Sequence, residues 1–303
     1  MRYDGWSLYA AGTVKPGSNG TTVDISQIRT LLNWMQSIEL GQGDLCTELI
    51  TPYALHSSGS VIARSNGIFV SREVLELLFE ESGKQLTLDW QARDGDPIHD
   101  GEVLFGFNGN GADILKNRRL IHWIVGRMSG LATATKQAAT VLDQHGKTLV
   151  QGISVNPIFE LLDEIAFQIG GGIWKRRGLT DSIYITQNHL RYSGGTEKTM
   201  EQIVRELGDT RRSLKIEVEI NTVAEFEKFN ELDCDILHLV GLSEADIRSV
   251  FESLNPIKKP VLHLNRLADF RAQYADYFFK YCAIEELHCN IEPLNLQIIF
   301  NPV

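Results

Sequence analysis

The first part of the chain carries two kinds of apolar pattern. Apolar residues recur at helical spacing over residues 25–38, which predicts a helix. Apolar and polar residues alternate over 60–70, 86–91 and 102–107, which predicts strands, and Ser71 is the expected N-cap of the helix after the first of them. Half-alternating strands mixed with helices predict a sandwich-like first domain that contains both.

The second part of the chain repeats a different unit. A long helical stretch covers residues 112–142, and short strands then alternate with helices that begin at capping residues such as Thr222 and Ser243. The predicted strands cover residues 182–185, 215–220, 235–240, 260–264, 275–281 and 292–299. Such alternation is typical of parallel β/α units, and several in a row favour a barrel with functional residues at the carboxyl ends of its strands.

Composition narrows the classes of partner. The chain has 303 residues, is 43% hydrophobic and carries a net charge of -10, and its longest basic cluster covers only residues 175–177. We therefore expect no nucleic-acid partner, because phosphate backbones need a broad basic face, although a pocket for a small anion fits this charge. The four cysteines form no CxxC pair. The start lacks a signal-peptide pattern and no apolar stretch approaches roughly 20 residues, so we expect a cytoplasmic protein without a membrane partner.

Four groups of motifs follow one another in an order and spacing that is specific as a set. They are Gly41-Gln42-Gly43-Asp44; Asp100-Gly101 with Phe105-Gly106 and residues 111–115; Arg119 with Ser129-Gly130-Leu131-Ala132-Thr133; and Gly170-Gly171-Gly172 with Arg176, Gly178-Leu179, Asp181 and Asn188-His189. On these motifs, residues 40–285 resemble the quinolinate phosphoribosyltransferase family.

The resemblance implies a fold, a reaction and an assembly. The fold is α/β, with an N-terminal α/β sandwich domain at residues 1–118, to which 286–303 can return, and an incomplete β/α barrel at 119–285 of the type II phosphoribosyltransferase kind. The family's enzymes join quinolinate, a small carboxylate, to phosphoribosyl pyrophosphate with Mg²⁺ and release carbon dioxide. They form homodimers or higher assemblies of dimers, in which one subunit's sandwich domain closes the neighbour's barrel mouth.

Several positions depart from the family's pattern. Lys175 stands in place of the histidine of a His-Arg pair, and Val240 in place of the aspartate of a Leu-Asp-Asn turn. Residues 151–155 align with a strand that carries an arginine and a lysine, and 264–266, Leu-Asn-Arg, align with a Ser-Gly-Gly phosphate turn. Large side chains obstruct the close backbone approach that phosphate binding uses, so family-type phosphoribosyl transfer is in doubt. The cofactor is left open, with Mg²⁺ expected if the family reaction is retained.

The surviving and altered positions supply the candidate site residues. The predicted catalytic residues are Glu219, Lys175 and His189. The predicted substrate-binding residues are Arg119, Arg176, Trp123, His122, Thr186, Asn188, His238 and His263. Guanidinium groups suit carboxylates because they bind them in a bidentate manner, and a surface salt bridge is the alternative for Arg119. The ring of Trp123 can stack on a planar ligand, with core packing as the alternative.

The predicted strands also bring acidic and imidazole groups together. Glu217 and Glu219 are two residues apart in one strand and share a face, which points either into the barrel or outward. Glu219, His238 and His263 lie on adjacent predicted strands and are weak candidates for a metal site. Local hydrogen bonding of the histidines is the alternative, and we assign no metal ligand.

Three functions remain open at this point. The first is a divergent enzyme of this family that acts on a small carboxylated aromatic or nitrogen-heterocyclic substrate. The second is an enzyme of different chemistry on the same barrel, with a metal if the new histidines hold one. The third is a non-catalytic ligand-binding or scaffold homologue. The retained Arg119, Arg176 and Glu219 favour an enzyme with altered chemistry.

Overall fold

The computed structural model describes residues 24–50, 56–80 and 86–301, which divide into two compact units. The first unit holds the described residues of Met1–Gln137, Asn156–Gly171 and Asn290–Val303, and the second holds Ala138–Val155 and Gly172–Cys289. The helices are α1 (Ile25–Leu40), α2 (Leu45–Ile50), α3 (Arg72–Glu80), α4 (Gly111–Asp143), α5 (Glu160–Ile169), α6 (Gln187–Ser193), α7 (Thr196–Leu207), α8 (Val223–Glu231), α9 (Glu244–Ser253) and α10 (Glu286–Cys289). The strands are β1 (His56–Ala63), β2 (Gly67–Ile68), β3 (Leu86–Trp90), β4 (Pro97–Ile98), β5 (Val103–Asn110), β6 (Thr148–Val150), β7 (Ile183–Ile185), β8 (Ile216–Ile220), β9 (Ile236–Leu239), β10 (Lys259–Leu264), β11 (Tyr281–Ile284) and β12 (Leu296–Phe300).

The first unit is built on an antiparallel sheet of four strands in the order β12-β1-β5-β3. The last strand of the chain, β12, pairs with β1, with Ile298 opposite Val61. Side chains alternate in burial along β1, as expected for a sheet with one face toward a core. Helix α4 lies close to the segment that precedes β12, since Leu294 donates its backbone N–H to the carbonyl of Gly126.

The second unit is built on a parallel sheet of six strands in the order β6-β11-β10-β9-β8-β7. All its neighbouring strands are parallel, and β8, β9 and β11 are nearly or wholly buried, which fits a sheet covered on both faces. Thr222 caps α8 by accepting the N–H of Glu225, and Ser243 caps α9 by accepting that of Asp246, as the sequence predicts. Within the described residues the end strands β6 and β7 are not paired with each other, so the barrel is incomplete.

Three predictions from the sequence differ from the structure. The strand expected at 275–281 begins only at Tyr281, because the Lys147 ammonium group binds the carbonyls of Ala275, Tyr277 and Phe279, which a strand would use for pairing. The expected boundary at 118/119 falls inside the continuous helix α4. Among the described residues the hydroxyl of Ser71 has no hydrogen-bond partner, and Asp94 instead accepts the N–H groups that open α3.

Among the helices of the described residues, none combines the length and the apolar character that a membrane crossing requires.

Candidate active site

Four side chains of the second unit form a continuous row of hydrogen bonds, which we call the carboxylate–histidine chain. Glu217 Oε2 lies 2.6 Å from His238 Nε2, His238 Nδ1 lies 2.9 Å from His263 Nε2, and His263 Nδ1 lies 2.8 Å from Glu285 Oε1. Both nitrogens of each ring are therefore engaged within the chain.

The parallel sheet places these four side chains in a row. Glu217, His238 and His263 lie on the neighbouring strands β8, β9 and β10, and Glu285 directly follows β11. His238 is the register partner of Glu219 on one side and of Val261 on the other, so each next member of the chain lies two residues from the directly paired position. Every second residue of a strand faces the same way, so the four groups meet on one face of the sheet.

Burial makes this chain a strongly coupled set of titratable groups. The side chains of His238 and His263 are essentially inaccessible, whereas that of Glu217 is 7% and that of Glu285 17% exposed. Burial opposes ionisation of both carboxyl groups, but hydrogen bonds from His238 and His263 outweigh it and lower the pKa of Glu217 and of Glu285 to about 2. Burial, together with the charge of Lys175, lowers the pKa of His238 to about 3 and also lowers that of His263.

The outer end of the chain is attached to the loop that follows β6. The Glu285 carboxylate accepts the backbone N–H groups of Ile153 at 3.0 and 3.1 Å and of Ser154 at 3.0 Å. Glu285 therefore fixes the backbone of this loop. Sequence reasoning missed Glu285 because it ended the preceding strand at 281, whereas β11 ends at Ile284, one residue before the glutamate.

Two cationic side chains, those of Lys175 and Arg176, lie near the carboxylate–histidine chain, beside the carboxyl end of β6. Gln151 accepts the backbone N–H groups of Lys175 and Arg176 at 3.0 and 2.9 Å. The Arg176 guanidinium lies 5.1 Å from the ring of Tyr184, whose ring in turn lies 5.0 Å from that of His238. Burial lowers the pKa of Lys175 to about 8, while Glu217 and Glu285 act in the opposite direction.

Tyr184 is a second residue that the sequence did not reveal. Its hydroxyl is buried and makes no hydrogen bond in the described part of the chain. Burial, reinforced by Glu219 and Glu217, raises its pKa, so the hydroxyl keeps its proton. A phenol of this kind can donate a hydrogen bond to a ligand. The alternating pattern of β7 marked Tyr184 as a strand residue only and gave no sign of this role.

The remaining predicted residues of this unit do not join the carboxylate–histidine chain. Thr186 is the N-cap of α6, and the His189 ring completes its capping box, with Nδ1 3.1 Å from the backbone nitrogen of Thr186. Asn188 and His189 are exposed on α6. Glu219 is half-buried, and its backbone carbonyl accepts a hydrogen bond from the side chain of Gln187. These contacts account for the local structure of α6 and β8. They assign no catalytic or binding role to the residues that make them.

Glu219, His238 and His263, the weak candidates for a metal site, are not arranged as one in the described part of the chain. His238 binds Glu217 rather than Glu219, and both nitrogens of each histidine are taken by hydrogen bonds. Imidazole needs a free nitrogen to bind a metal. Across residues 24–50, 56–80 and 86–301, no cluster of three or more His, Cys, Asp or Glu side chains is arranged to hold a metal ion.

The first unit has a separate cavity of about 530 Å³, lined in part by Arg119, His122 and Trp123. Arg119 is 74% exposed and pairs with Glu39 at 3.0 Å. Partial burial lowers the pKa of His122, which favours its neutral ring. The Trp123 ring packs 4.3 Å from that of Phe159. The structure thus brings these three predicted residues together, with Arg119 already engaged in an ion pair.

Arg127 also lines this cavity and was not predicted. Its guanidinium binds the buried Asp163 carboxylate through two hydrogen bonds of 2.8 and 2.7 Å, and it lies over the rings of Trp123 and Phe159. Burial raises the pKa of Asp163, although Arg127 acts against the rise. The residue lies eight positions after Arg119 on α4, a helical spacing that could have marked the shared face.

The antiparallel unit, the incomplete parallel barrel and the polar groups at the carboxyl ends of its strands define a type II phosphoribosyltransferase-like α/β protein. The sequence profile of the quinolinate phosphoribosyl transferase C-terminal domain matches residues 131–265. This segment of the chain therefore resembles the C-terminal domain of the quinolinate phosphoribosyltransferases.

Named relatives are similar to a larger part of the chain. The chain is 30% identical over 189 residues to quinolinate phosphoribosyltransferase [decarboxylating] 2a, mitochondrial, of Nicotiana tabacum, which covers 62% of this chain and 53% of the relative. The chain thus spans about half the length of this plant relative. It is 28% identical over 231 residues to a probable nicotinate-nucleotide pyrophosphorylase [carboxylating] of Bacillus subtilis, which covers 76% of this chain and 78% of the relative.

Solved structures confirm the predicted fold class. Nicotinate-nucleotide pyrophosphorylase of Francisella tularensis superposes with a TM-score of 0.81 at 21% identity and covers 92% of this chain and 98% of its own. The enzyme of that name from Ehrlichia chaffeensis superposes with a TM-score of 0.83 at 18% identity and covers 93% of this chain and 100% of its own. At these identities the likeness concerns the fold alone.

Proposed function

We propose that this chain is a divergent enzyme of the quinolinate phosphoribosyltransferase type that binds a small aromatic or nitrogen-heterocyclic carboxylate at Lys175 and Arg176. The observation that carries the proposal is the state of these two cations. The Lys175 ammonium group and the terminal nitrogens of Arg176 have no hydrogen-bond partner within the described part of the chain, since Arg176 bonds only through Nε, to the Gly178 carbonyl. Their charges are therefore available to an anion.

The surroundings of the two cations suit a planar acid. A guanidinium can bind a carboxylate through two parallel hydrogen bonds, and its stacking on Tyr184 fixes the plane in which it does so. The unpartnered hydroxyl of Tyr184 supplies a polar contact nearby. The names of the plant relatives refer to quinolinate, a pyridine dicarboxylate, which is the first ligand to test.

Transfer from phosphoribosyl pyrophosphate is a weaker expectation for this chain. The segment at the expected phosphate turn presents Arg266, whose guanidinium pairs with Asp269 at 3.0 Å, and its backbone N–H is also held by Asp269. A turn whose amide and side chain are already engaged does not offer a phosphate cradle. Mg²⁺ prefers carboxylate and phosphate oxygens, and the described residues contain no carboxylate cluster suited to it, so we derive no step through Mg²⁺.

Binding and turnover of the purified full chain test this proposal. Quinolinate should bind in calorimetry, and Arg176→Met should weaken it by about 1.5–3 kcal/mol, the range for a hydrogen bond to a charged group. Arg177→Met is the matched control, because Arg177 is the exposed next residue, and it should bind as the wild type does. Equal affinities of the two variants, or no binding by the wild type, would contradict the proposal. Incubation with phosphoribosyl pyrophosphate and Mg²⁺ then tests family-type turnover.

The assembly and the cellular location of this protein are proposed from the family resemblance. We infer a homodimer or a higher assembly of dimers in the cytoplasm. Light scattering of the purified chain measures the assembly, and a monomeric mass at micromolar concentration would overturn it.

A further inference from the structure

The carboxylate–histidine chain contains three short contacts among four groups, and each contact needs one proton. A neutral imidazole supplies one N–H and one lone pair, and an ionised carboxylate supplies no proton. Two neutral rings and two ionised carboxylates therefore hold one proton fewer than the contacts require. In that state one contact would join two lone pairs inside the protein, where polar groups find no water as a substitute.

A third proton removes this conflict and also balances the local charge, and the three hydrogen-bonded contacts hold it against burial and the Lys175 charge, which lower the pKa of both rings. The two carboxylates of Glu217 and Glu285 carry two negative charges, while the third proton and the Lys175 ammonium group supply two positive ones. The neighbouring charged or titratable groups are Arg176 and Tyr184 beside the chain, Glu219 on β8 and His288, which accepts the N–H of Gly152.

The two ends of the carboxylate–histidine chain differ in their surroundings, which gives proton movement along it a direction. Accessibility increases from the histidines, which are closed to water, to Glu285, the most exposed member. Lys175 is close enough to both end carboxylates for their charges to act on it, and the effect of Glu217 is larger than that of Glu285. A proton taken up at Glu285 can thus reach the cation-lined region through groups that are hydrogen-bonded throughout.

We propose that Glu217, His238, His263 and Glu285 are one acid–base unit, which stores a shared third proton and supplies it to the ligand held at Lys175 and Arg176. When the acid–base unit gives this proton to an ionisable atom of the ligand, its four groups keep two protons, and a proton from the buffered solvent then replaces the third at Glu285. The supply step rests on the proposed carboxylate ligand, whereas the stored proton is a property of the free protein.

Glutamine variants test the stored proton directly. In Glu285→Gln the side-chain amide can donate to His263, so all three contacts are satisfied by two neutral rings and one amide. Glu217→Gln achieves the same from the other end. Both variants should fold, and a thermal melt checks that they do. Neither should hold the extra proton.

Nitrogen-15 spectra of the histidine rings provide the readout. In the wild type at neutral pH, the His238 and His263 signals should show a ring that shares an extra proton, together with a strongly deshielded bridging proton. In both glutamine variants the two rings should give the signals of ordinary neutral tautomers. Wild-type rings that are already neutral and resemble those of Glu285→Gln would overturn the proposal.

Calorimetry with quinolinate in two buffers of different ionisation enthalpy tests the supply step. Wild-type binding should take up about one proton from the buffer, and Glu285→Gln should take up close to none. Equal proton uptake in the two proteins would overturn the supply step. If quinolinate does not bind at all, the proposed function and the supply step both fail, and the ring spectra alone decide whether the third proton exists.

Discussion

His238 Nδ1 and His263 Nε2 lie 2.9 Å apart on neighbouring parallel strands, so two imidazole rings share a hydrogen bond in the interior of the second unit. This contact explains why neither ring is available as a metal ligand. It also joins two glutamates that are far apart in sequence, Glu217 and Glu285, into one electrostatic system.

Removal of the Tyr184 hydroxyl should have different effects on quinolinate affinity and on the free energy of unfolding. The hydroxyl is buried without a hydrogen-bond partner among the described residues, and such a group costs about 1–3 kcal/mol, so Tyr184→Phe should keep or raise the free energy of unfolding. The ring that stacks with Arg176 remains in this variant. Quinolinate affinity should fall nonetheless, because the ligand loses a donor. Urea titration and calorimetry measure the two effects, and a variant that loses stability would show that the hydroxyl has a protein partner.

The strands and caps of the second unit were largely predictable, because parallel β/α units repeat a short local pattern. Thr222 and Ser243 each cap a helix by accepting the N–H of a residue three positions later, so the sequence indicates both helix starts. The partner of His238 was not predictable, since the choice between Glu217 and Glu219 depends on the relative stagger of β8 and β9. Asp94 was missed as the cap of α3 because it lies 22 residues beyond the helix start at Arg72.

Arg127 should be essential for the stability of the first unit. Asp163 is fully buried, and without Arg127 its charge would be uncompensated, so Arg127→Met should cost about 3–5 kcal/mol of unfolding free energy. The double variant Arg127→Met/Asp163→Leu removes both charges and should recover most of this loss. Arg205→Met is the control, because its pair with Glu206 is exposed on both sides and should contribute about 0–1 kcal/mol. A double variant no more stable than Arg127→Met would refute the charge argument.

A methyl group at Gly130 should disturb the packing of α4. A Cβ there would overlap the backbone carbonyl of Glu292, which has little freedom to move. Alanine normally stabilises a helix by about 1 kcal/mol relative to glycine, but overpacking costs about 1–3 kcal/mol. We expect Gly130→Ala to lower the melting temperature. Gly178→Ala meets no atom within 4 Å and should be nearly neutral. A Gly130→Ala protein more stable than wild type would contradict this packing.

The lowered pKa of Lys175 predicts opposite pH trends for binding and for stability. Its pKa is about 8, so the ammonium charge that attracts a carboxylate is lost as the pH rises through that value. Quinolinate affinity should therefore fall above pH 8, by at most about tenfold per pH unit for one proton. In the unfolded chain the same group titrates at about 10.4, so between these two pH values the unfolded state binds more protons, and the free energy of unfolding should rise with pH.

Two substitutions at Lys175 distinguish this mechanism from a general effect of pH. Lys175→Arg keeps its charge over the whole range, so its affinity for quinolinate should not fall near pH 8. Lys175→Met has no charge at any pH, so it should bind weakly throughout and lack the rise in unfolding free energy. Calorimetric titrations and urea unfolding from pH 6 to 10 measure both quantities. A wild-type affinity that does not change through pH 8, or one that changes equally in Lys175→Met, would assign the pH dependence to another group.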